Sequence, residues 1–420
     1  MKLFACNAIL LMLILLTGLA SPAQSQSPEP QWWKGNLHTH SLWSDGDEFP
    51  EMIAAWYAEH DYNFLALSDH NILSAGMRWM PLNKIVARSD AEILQRYQER
   101  FGSEWVETRT RPGPNAGEPD VQEVRLKPLD EFRCLVEQAG KFIMIQGEEI
   151  SDSAEGKPVH MNATNVNQLI LPVGGETVRD AMRNNLRLVL EQEAASGREL
   201  LPHLNHPNFG YAVTAEDLAN VVQERFFEVY NGHPGVNQLG DAEHMAIEKM
   251  WDVANAIRLT QLDAEPLWGI ATDDSHEYHG QPGSRPGRGW VMVRSRYLTP
   301  EHLIRAMKAA DFYASSGVVV DQIEFTPDSG TLSLKIPPVD GVKFTTEFVA
   351  TLQPLEEGQL PPIESIGVVV ATVDGLNPKY QLQGNEVYVR ARITSTAPHT
   401  DPSLPDQKQQ AWTQPVLPKP

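Results

Sequence analysis

From Trp32 to Gly317 short apolar runs alternate with longer amphipathic stretches. Asn36 to Leu42 and Phe64 to Ser68 read as strands, with Glu51 to Glu59 between them as a helix. Phe142 to Gln146, Leu200 to Leu204, Phe226 to Tyr230 and Leu267 to Ala271 are further strand-like runs. Thr177 to Ala195, Glu216 to Gln223 and Glu243 to Leu262 have helical length and charge pattern. Such alternation predicts an α/β fold, a parallel sheet or barrel with its helices outside. Residues 105 to 128 carry Pro112, Gly113, Pro114, Gly117 and Pro119 and read as an irregular insertion. After Gly317 the texture changes. Val318 to Phe325, Thr331 to Ile336, Thr345 to Leu352, Ser365 to Val373 and Glu386 to Thr394 are β-rich runs between Pro, Gly and Asp turns, which predicts a small all-β sandwich-like domain over residues 318–396. Six prolines in residues 397–420 predict an extended tail, tacked down through Trp412.

The N-terminus adds a compartment to this picture. Lys2, the apolar run Ile9 to Leu16 and the small residues before Ala23 read as a signal peptide over residues 1–23, followed by a polar linker over 24–31. The expectation is an exported protein, periplasmic or extracellular, with no stable membrane insertion once the signal is cleaved. Cys6 leaves with the signal, so Cys134 stands alone and no intramolecular disulfide forms. At roughly 150 residues per domain, 420 residues imply two or three domains. With 55 acidic against 34 basic residues the net charge is −21, so no duplex nucleic-acid partner is expected. Clustered divalent metals would supply a local positive patch in such a chain.

The candidate chemistry sits at the strand ends. In a strand, residues i and i+2 share a face, so His38-Thr39-His40 directs two imidazoles at one point, with Ser44-Asp45-Gly46 just beyond. A lone His-x-His is a weak signal, but later strands end in the same residue types. These are Asp69-His70, Glu148-Glu149, Val159-His160, His206-Pro207 and Asp273-Asp274-Ser275-His276. α/β barrels assemble their sites from the C-terminal ends of several strands, which brings such scattered residues together. Imidazole and carboxylate without thiolate suit Zn, Mn or Fe. His203 is left unassigned, Asn162-Ala163-Thr164 is a sequon expected to be buried, and His60, His244, His302 and His399 read as ordinary helix or tail histidines.

On these residues the chain, over about 32–317, resembles the polymerase and histidinol phosphatase (PHP) family of metallohydrolases. His38-Thr39-His40 with Asp45 is similar to its first motif and Asp69-His70 to its second. Glu149 matches its strand glutamate, His160 and His206-Pro207 its middle histidines, and Asp274-x-His276 its closing motif. The resemblance implies a distorted (β/α)7 barrel of PHP type holding two or three divalent metal ions, with His38, His40, His70, Glu149, His160, His206, Asp274 and His276 as ligands. Asp45, where some members carry histidine, binds a third metal or orients one. Glu148 competes with Glu149 and Asp273 with Asp274; the family spacing favours Glu149 and Asp274. The run Trp32 to Leu42, the segment Tyr230-Asn231-Gly232-His233 and the β-rich C-terminus resemble an exported branch related to carbaryl hydrolase.

Such a centre implies hydrolysis by a metal-bound hydroxide, with the metals also polarising the bond under attack. The leading expectation is a phosphoesterase acting on a small phosphate monoester or diester, a nucleotide included. The alternative is a carboxyl or carbamate ester hydrolase, and a second alternative is a secreted non-catalytic binding protein. Asp69 is expected to orient a ligand or leaving group, His279 and His233 to act as general acid or substrate contact, and Arg288 with Arg285 to clamp a substrate anion. Arginines near the metals favour a phosphate; an apolar lining from Trp43, Trp79 or Trp290 favours a neutral ester.

Overall fold

The computed structural model describes residues 27–113, 115, 117–354, 356 and 358–419, so the signal segment read at 1–23 lies outside the described residues. β1 (Gln31–Asn36), α1 (Pro50–Glu59) and β2 (Phe64–Leu67) lead into β3 (Arg78–Pro81), α2 (Leu82–Arg88), α3 (Ile93–Phe101), β4 (Thr108–Arg111) and β5 (Val121–Leu126). After α4 (Leu129–Val136) come β6 (Ile143–Ala154), β7 (Lys157–Thr164), α5 (Val178–Ser196), β8 (Leu201–Leu204) and α6 (Ala215–Asn220). β9 (Phe226–Asn231), α7 (Ile247–Gln261), β10 (Trp268–Thr272), β11 (Trp290–Ser295), α8 (Pro300–Lys308) and β12 (Phe312–Ser315) complete the α/β part. The remaining strands are β13 (Gln322–Thr326), β14 (Thr331–Lys335), β15 (Phe344–Leu352), β16 (Val368–Asp374), β17 (Lys379–Gln381), β18 (Glu386–Pro398) and β19 (Lys408–Thr413).

Alternation along the central strands separates an apolar floor from a polar rim. Phe64 and Ala66 of β2, Ile145 of β6, Leu201 of β8, Phe226 of β9, and Trp268 and Ile270 of β10 meet in one buried cluster with Trp33, Val291 and Leu303. Residues from so many strands touch only on the concave side of a curled sheet. Continuing by steps of two from that floor, Ile145 leads to Gly147 and Glu149, Phe226 to Glu228, and Ile270 to Thr272 and Asp274. The opposite faces pack on the helices, as Phe227 and Val229 do with Trp251 and Ala254 of α7. Polar groups at the C-terminal rim therefore stand on an apolar base.

The sheet departs from the expected closed barrel. Among the described residues its order is β10-β9-β8-β7-β6-β2-β1-β11-β12-β19-β18-β15-β16, thirteen strands without a closing ladder. Among the described residues, a single parallel bridge, Thr39 with Ser275, joins the ends of β1 and β10, with His40 N–H donating to the Ser275 carbonyl at 2.9 Å. Nor is the sheet all parallel: β7 runs antiparallel to β6 and β8. The cause is local, since Glu155 and Gly156 both take positive φ (53° and 73°) and turn the chain straight back as a hairpin. The insertion is likewise more regular than its prolines suggest. β3, β5 and β4 form a small antiparallel sheet, in which Glu123 of β5 accepts from Arg109 and Arg111 of β4.

The C-terminal strands lie in two packed β layers, one of them continuous with the main sheet. β15, β16, β18 and β19 extend the main sheet through the β12–β19 pairing, and the β13-β14-β17 sheet covers one face. Phe344, Phe348 and Ile393 share a buried cluster with Leu332 and Leu334, and also with Tyr57 and Leu65. The tail expected to be extended and tacked down through Trp412 supplies β19, an interior strand, with Trp412 buried against Tyr230. A buried ion pair adds a further tie: Arg390 of β18 donates to Asp252 of α7 at 2.8 and 2.9 Å.

The insertion is also clasped to α1. Glu51 accepts from Tyr97 Oη at 2.5 Å and Trp105 Nε1 at 3.2 Å. Burial pushes its carboxyl up to about 7, against the opposing pull of those hydrogen bonds. The folded chain therefore holds this proton more tightly than the unfolded chain. That stabilisation is complete below the ordinary value of 4.5 and is lost as pH rises through about 7. Between pH ~5 and ~8, Glu51→Gln should gain unfolding temperature relative to the unsubstituted protein. A difference that does not change with pH would mean that Glu51 is ionised in the fold.

Candidate metal centre

Glu149 is the hub of the rim. Its Oε1 lies 3.5 Å from His38 Nε2, 3.0 Å from His160 Nδ1 and 3.4 Å from His206 Nε2. Its Oε2 lies 3.4 Å from His40 Nε2 and 2.7 Å from His70 Nδ1. Across from it, Asp274 Oδ1 is 3.2 Å from both His38 Nε2 and His40 Nε2. At the outer edge Asp45 stands 3.6 Å from His40 Nδ1, 3.4 Å from His70 Nε2 and 3.5 Å from His276 Nε2. Two ligand bonds of about 2.1 Å at a tetrahedral angle put their donor atoms about 3.4 Å apart, so most of these are ligand spacings.

Hydrogen bonding supports that reading. His38 Nε2, both ring nitrogens of His40 and Glu149 Oε2 are buried without a hydrogen-bond partner. Unpaired buried polar atoms are costly, and several aimed at one another fit a bound cation. The donor set, imidazole and carboxylate, suits a divalent ion of the Zn, Mn or Fe type. His38, His40 and Glu149; His38, His206 and Asp274; His70, Glu149 and His160; and His40, Asp45, His70 and His276 each form a group able to hold one ion. All nine residues anticipated as ligands fall within these groups.

The backbone explains the aim. Asp274 and His206 take positive φ, 50° and 21°, turning their side chains off the ends of β10 and β8. Side chains with a Cβ rarely adopt this region, and such strain persists where the surroundings enforce it. Strand parity separates the competing neighbours. Glu148 points to the other face of β6, where it accepts from Ile170 N–H and burial pushes its carboxyl up to about 8. Asp273 accepts from the backbone N–H groups of Gly287, Arg288 and Gly289, anchoring the loop after the closing motif.

Charge within the rim is finely balanced. Burial raises Glu149 and Asp274, but the surrounding histidines outweigh it and hold both carboxyls well below their usual range. Burial drives His40 down to about 3, assisted by His276, so its ring is neutral and keeps a lone pair. Burial also lowers His38 and His70, yet the carboxylates around them prevail, raising His38 well above its usual value and His70 to about 11. A divalent ion competes with those protons for the same carboxylate field.

Glu228 and His203 are additions to the anticipated set. Glu228 Oε1 meets His38 Nδ1 at 2.7 Å, which places the proton there and leaves Nε2 free to face Asp274 and Glu149. Thr272 Oγ1 and His206 N–H also donate to Glu228, at 2.6 and 2.7 Å. His203 is fully buried, 3.7 Å from Glu228. The legible signal was the single acid in the apolar strand Phe226-Phe227-Glu228-Val229-Tyr230, on the same parity as Phe226. Glu228→Gln should weaken metal affinity about 10–100-fold in a chelator competition. Unchanged affinity would make Glu228 a packing residue only.

Asp69 is buried and accepts from the N–H and Oγ of Ser41 and of Ser44, so it holds the turn carrying Asp45, in keeping with a residue that orients a ligand. Other anticipated roles need revision. His279 contacts Glu48 at 3.2 Å and Arg96 at 3.1 Å, outside all of the ligand groups. Arg288 is no free clamp: it is buried and donates to the carbonyls of Gly232 and Gly283 and to Asp401. Asp401 also pairs with Arg285. His399, expected to be an ordinary tail residue, is buried with Nε2 on the Arg288 carbonyl at 3.0 Å. The tail thus braces the loop anchored on Asp273. Trp43 and Trp290 are buried in the core and Trp79 is stacked under Arg109, so this aromatic set supplies no apolar lining. Asn162 of the sequon is buried, donating to the Leu37 carbonyl at 2.9 Å.

No family model matches the chain, and no curated protein matches it. Among solved structures, it is similar to a two-domain protein containing a predicted PHP-like metal-dependent phosphoesterase from Bacteroides vulgatus, at 14% identity and a TM-score of 0.39 over 93% of this chain and 97% of that one. It is also similar to a candidate metal-dependent phosphoesterase from Bifidobacterium adolescentis, at 13% identity and a TM-score of 0.30 over 61% of this chain and 92% of that one. Both scores are too low to assign a shared fold.

Proposed function

We propose that the protein is an exported metal-dependent hydrolase of PHP type, a phosphoesterase acting on small phosphate monoesters or diesters. The observation that carries the reading is Glu149, a buried carboxylate with one oxygen toward His38, His160 and His206 and the other toward His40 and His70. A carboxylate divided in this way could serve more than one ion position. Divalent ions held there would supply Lewis acidity and a lowered water pKa near neutral pH. The chain's own part is to fix the ring tautomer and orientation: Glu228 engages His38 Nδ1 and the Asp274 carbonyl engages His276 Nδ1 (2.8 Å), which leaves each Nε2 to face the ion position. Substrate reaches the rim from the side of Asp45, whose side chain is 52% exposed, while Glu149 and His38 are sealed behind it. A phosphoester would suit such a cage, since divalent ions held there would neutralise the charge on its non-bridging oxygens. Export rests on Lys2 and the apolar run Ile9 to Leu16.

The test is release of p-nitrophenol by Mn- or Zn-loaded protein from phosphomonoester, phosphodiester, acetate and carbamate substrates. Phosphate cleavage that disappears with a chelator supports the reading. Cleavage of the carbonyl esters alone replaces it with an ester hydrolase, and silence on all four replaces it with a binding protein.

A further inference from the structure

His233 belongs to none of the ligand groups, yet it stands beside them. Its ring meets His276 edge-on at 6.0 Å between centroids and Phe209 at 5.9 Å, and Phe209 in turn lies 5.2 Å from His206. Its place is registered directly to the metal centre. Asn231 donates through Nδ2 to Asp274 and Glu228, at 3.1 and 2.8 Å, while its Oδ1 accepts the His233 backbone N–H at 2.7 Å. The ring's orientation is fixed as well. Gly235 N–H points at His233 Nδ1 at 2.9 Å, and a backbone N–H can only donate, so Nδ1 accepts and the ring proton is on Nε2. Gly235 is required for this contact, since a Cβ there would come within 2.8 Å of the ring. Nε2 has no protein partner among the described residues.

A neutral imidazole with its Nδ1 occupied and its Nε2–H free, held against a ligand histidine, is a preorganised hydrogen-bond donor. The guanidinium groups of Arg285 and Arg288 are tied to Asp401, so they do not supply that contact. We propose that His233 Nε2–H donates to a phosphate oxygen of the substrate at the metal centre, making His233 a substrate-contacting residue. This rests on the phosphoesterase reading above.

The experiment is calorimetric titration of inorganic phosphate into the metal-loaded protein and its variants, with metal content measured on the same samples. His233→Ala should bind phosphate about 10–100-fold more weakly at unchanged metal content, the scale of a lost hydrogen bond to a charged group. His233→Gln, whose amide nitrogen reaches the Nε2 position, should stay within about threefold of the parent, and His233→Asn, whose amide reaches only the Nδ1 position, should fall with His233→Ala. Equal phosphate affinity in the parent and His233→Ala overturns the proposal and leaves the phosphoesterase reading standing. Equal losses in the Gln and Asn variants overturn it too, because the donor's position would not matter. If the metal-loaded parent binds no phosphate, the phosphoesterase reading fails first and takes the proposed ligand with it.

Discussion

Glu149→Gln should fold and yet lose turnover on the order of 10³-fold, because Lewis-acid stabilisation is worth several kcal/mol and about 1.4 kcal/mol is a factor of ten. The amide keeps the side chain's volume and can still accept from Asn205 Nδ2, which donates to Oε1 at 2.7 Å. It removes the charge that faces His38, His160 and His206 on one side and His40 and His70 on the other. One substitution thereby disturbs more than one ion position. Asp45→Asn makes the contrast, since Asp45 stands at the exposed edge and serves only the group with His40, His70 and His276. Its loss should be smaller than that of Glu149→Gln in the same steady-state assay. Equal losses would mean that the edge position carries the chemistry.

The second large effect concerns stability. Arg390→Met should destabilise the fold by about 3–5 kcal/mol in denaturant unfolding, the usual consequence of leaving a buried charge without its partner. Asp252 would keep the hydrogen bond from Tyr388 Oη, at 2.6 Å, but lose its ion-pair partner. Arg390 is 1% exposed and Asp252 3% exposed, so water cannot take the guanidinium's place. The double variant Arg390→Met with Asp252→Asn should recover part of the loss, because no unpaired buried charge remains. A single variant within about 1 kcal/mol of the parent would place this contact among surface ion pairs in its energetics. Either result also reports how firmly the C-terminal strands are fastened to α7, since this pair crosses between them.

The candidate ligand residues were legible because metal chemistry restricts such residues to a few side-chain types at the ends of apolar runs. His38, His40 and His70 could be read from type and position alone, whereas Asp274 was preferred to Asp273 on the spacing of the family that the chain resembles. Glu149 was preferred to Glu148 on that same spacing, and the structure agrees through the strand period, because Ile145 and Gly147 share its face. Glu228 was harder, since its role depends on a contact with His38 across 190 residues, and only its isolation in an apolar strand marked it. Arg288 misled for the same reason. Its charge suggested a clamp, but Asp401 comes from 113 residues further along the chain, and no local pattern announces that pairing. In the fold, the helix and strand periods were readable, whereas sheet order depends on pairings between distant segments. The antiparallel turn of β7 is an exception that the dipeptide Glu155-Gly156 could have signalled. The entry of β19 between β12 and β18 could not have been read from a proline-rich tail.

The most direct test of the central claim is the metal stoichiometry of protein loaded with Mn or Zn and freed of excess ion, compared with Glu149→Gln treated in the same way. A centre bridged by Glu149 predicts at least two tightly held equivalents in the parent and a loss of more than one in the variant. A parent that retains no metal, or a variant that retains as much as the parent, would contradict it.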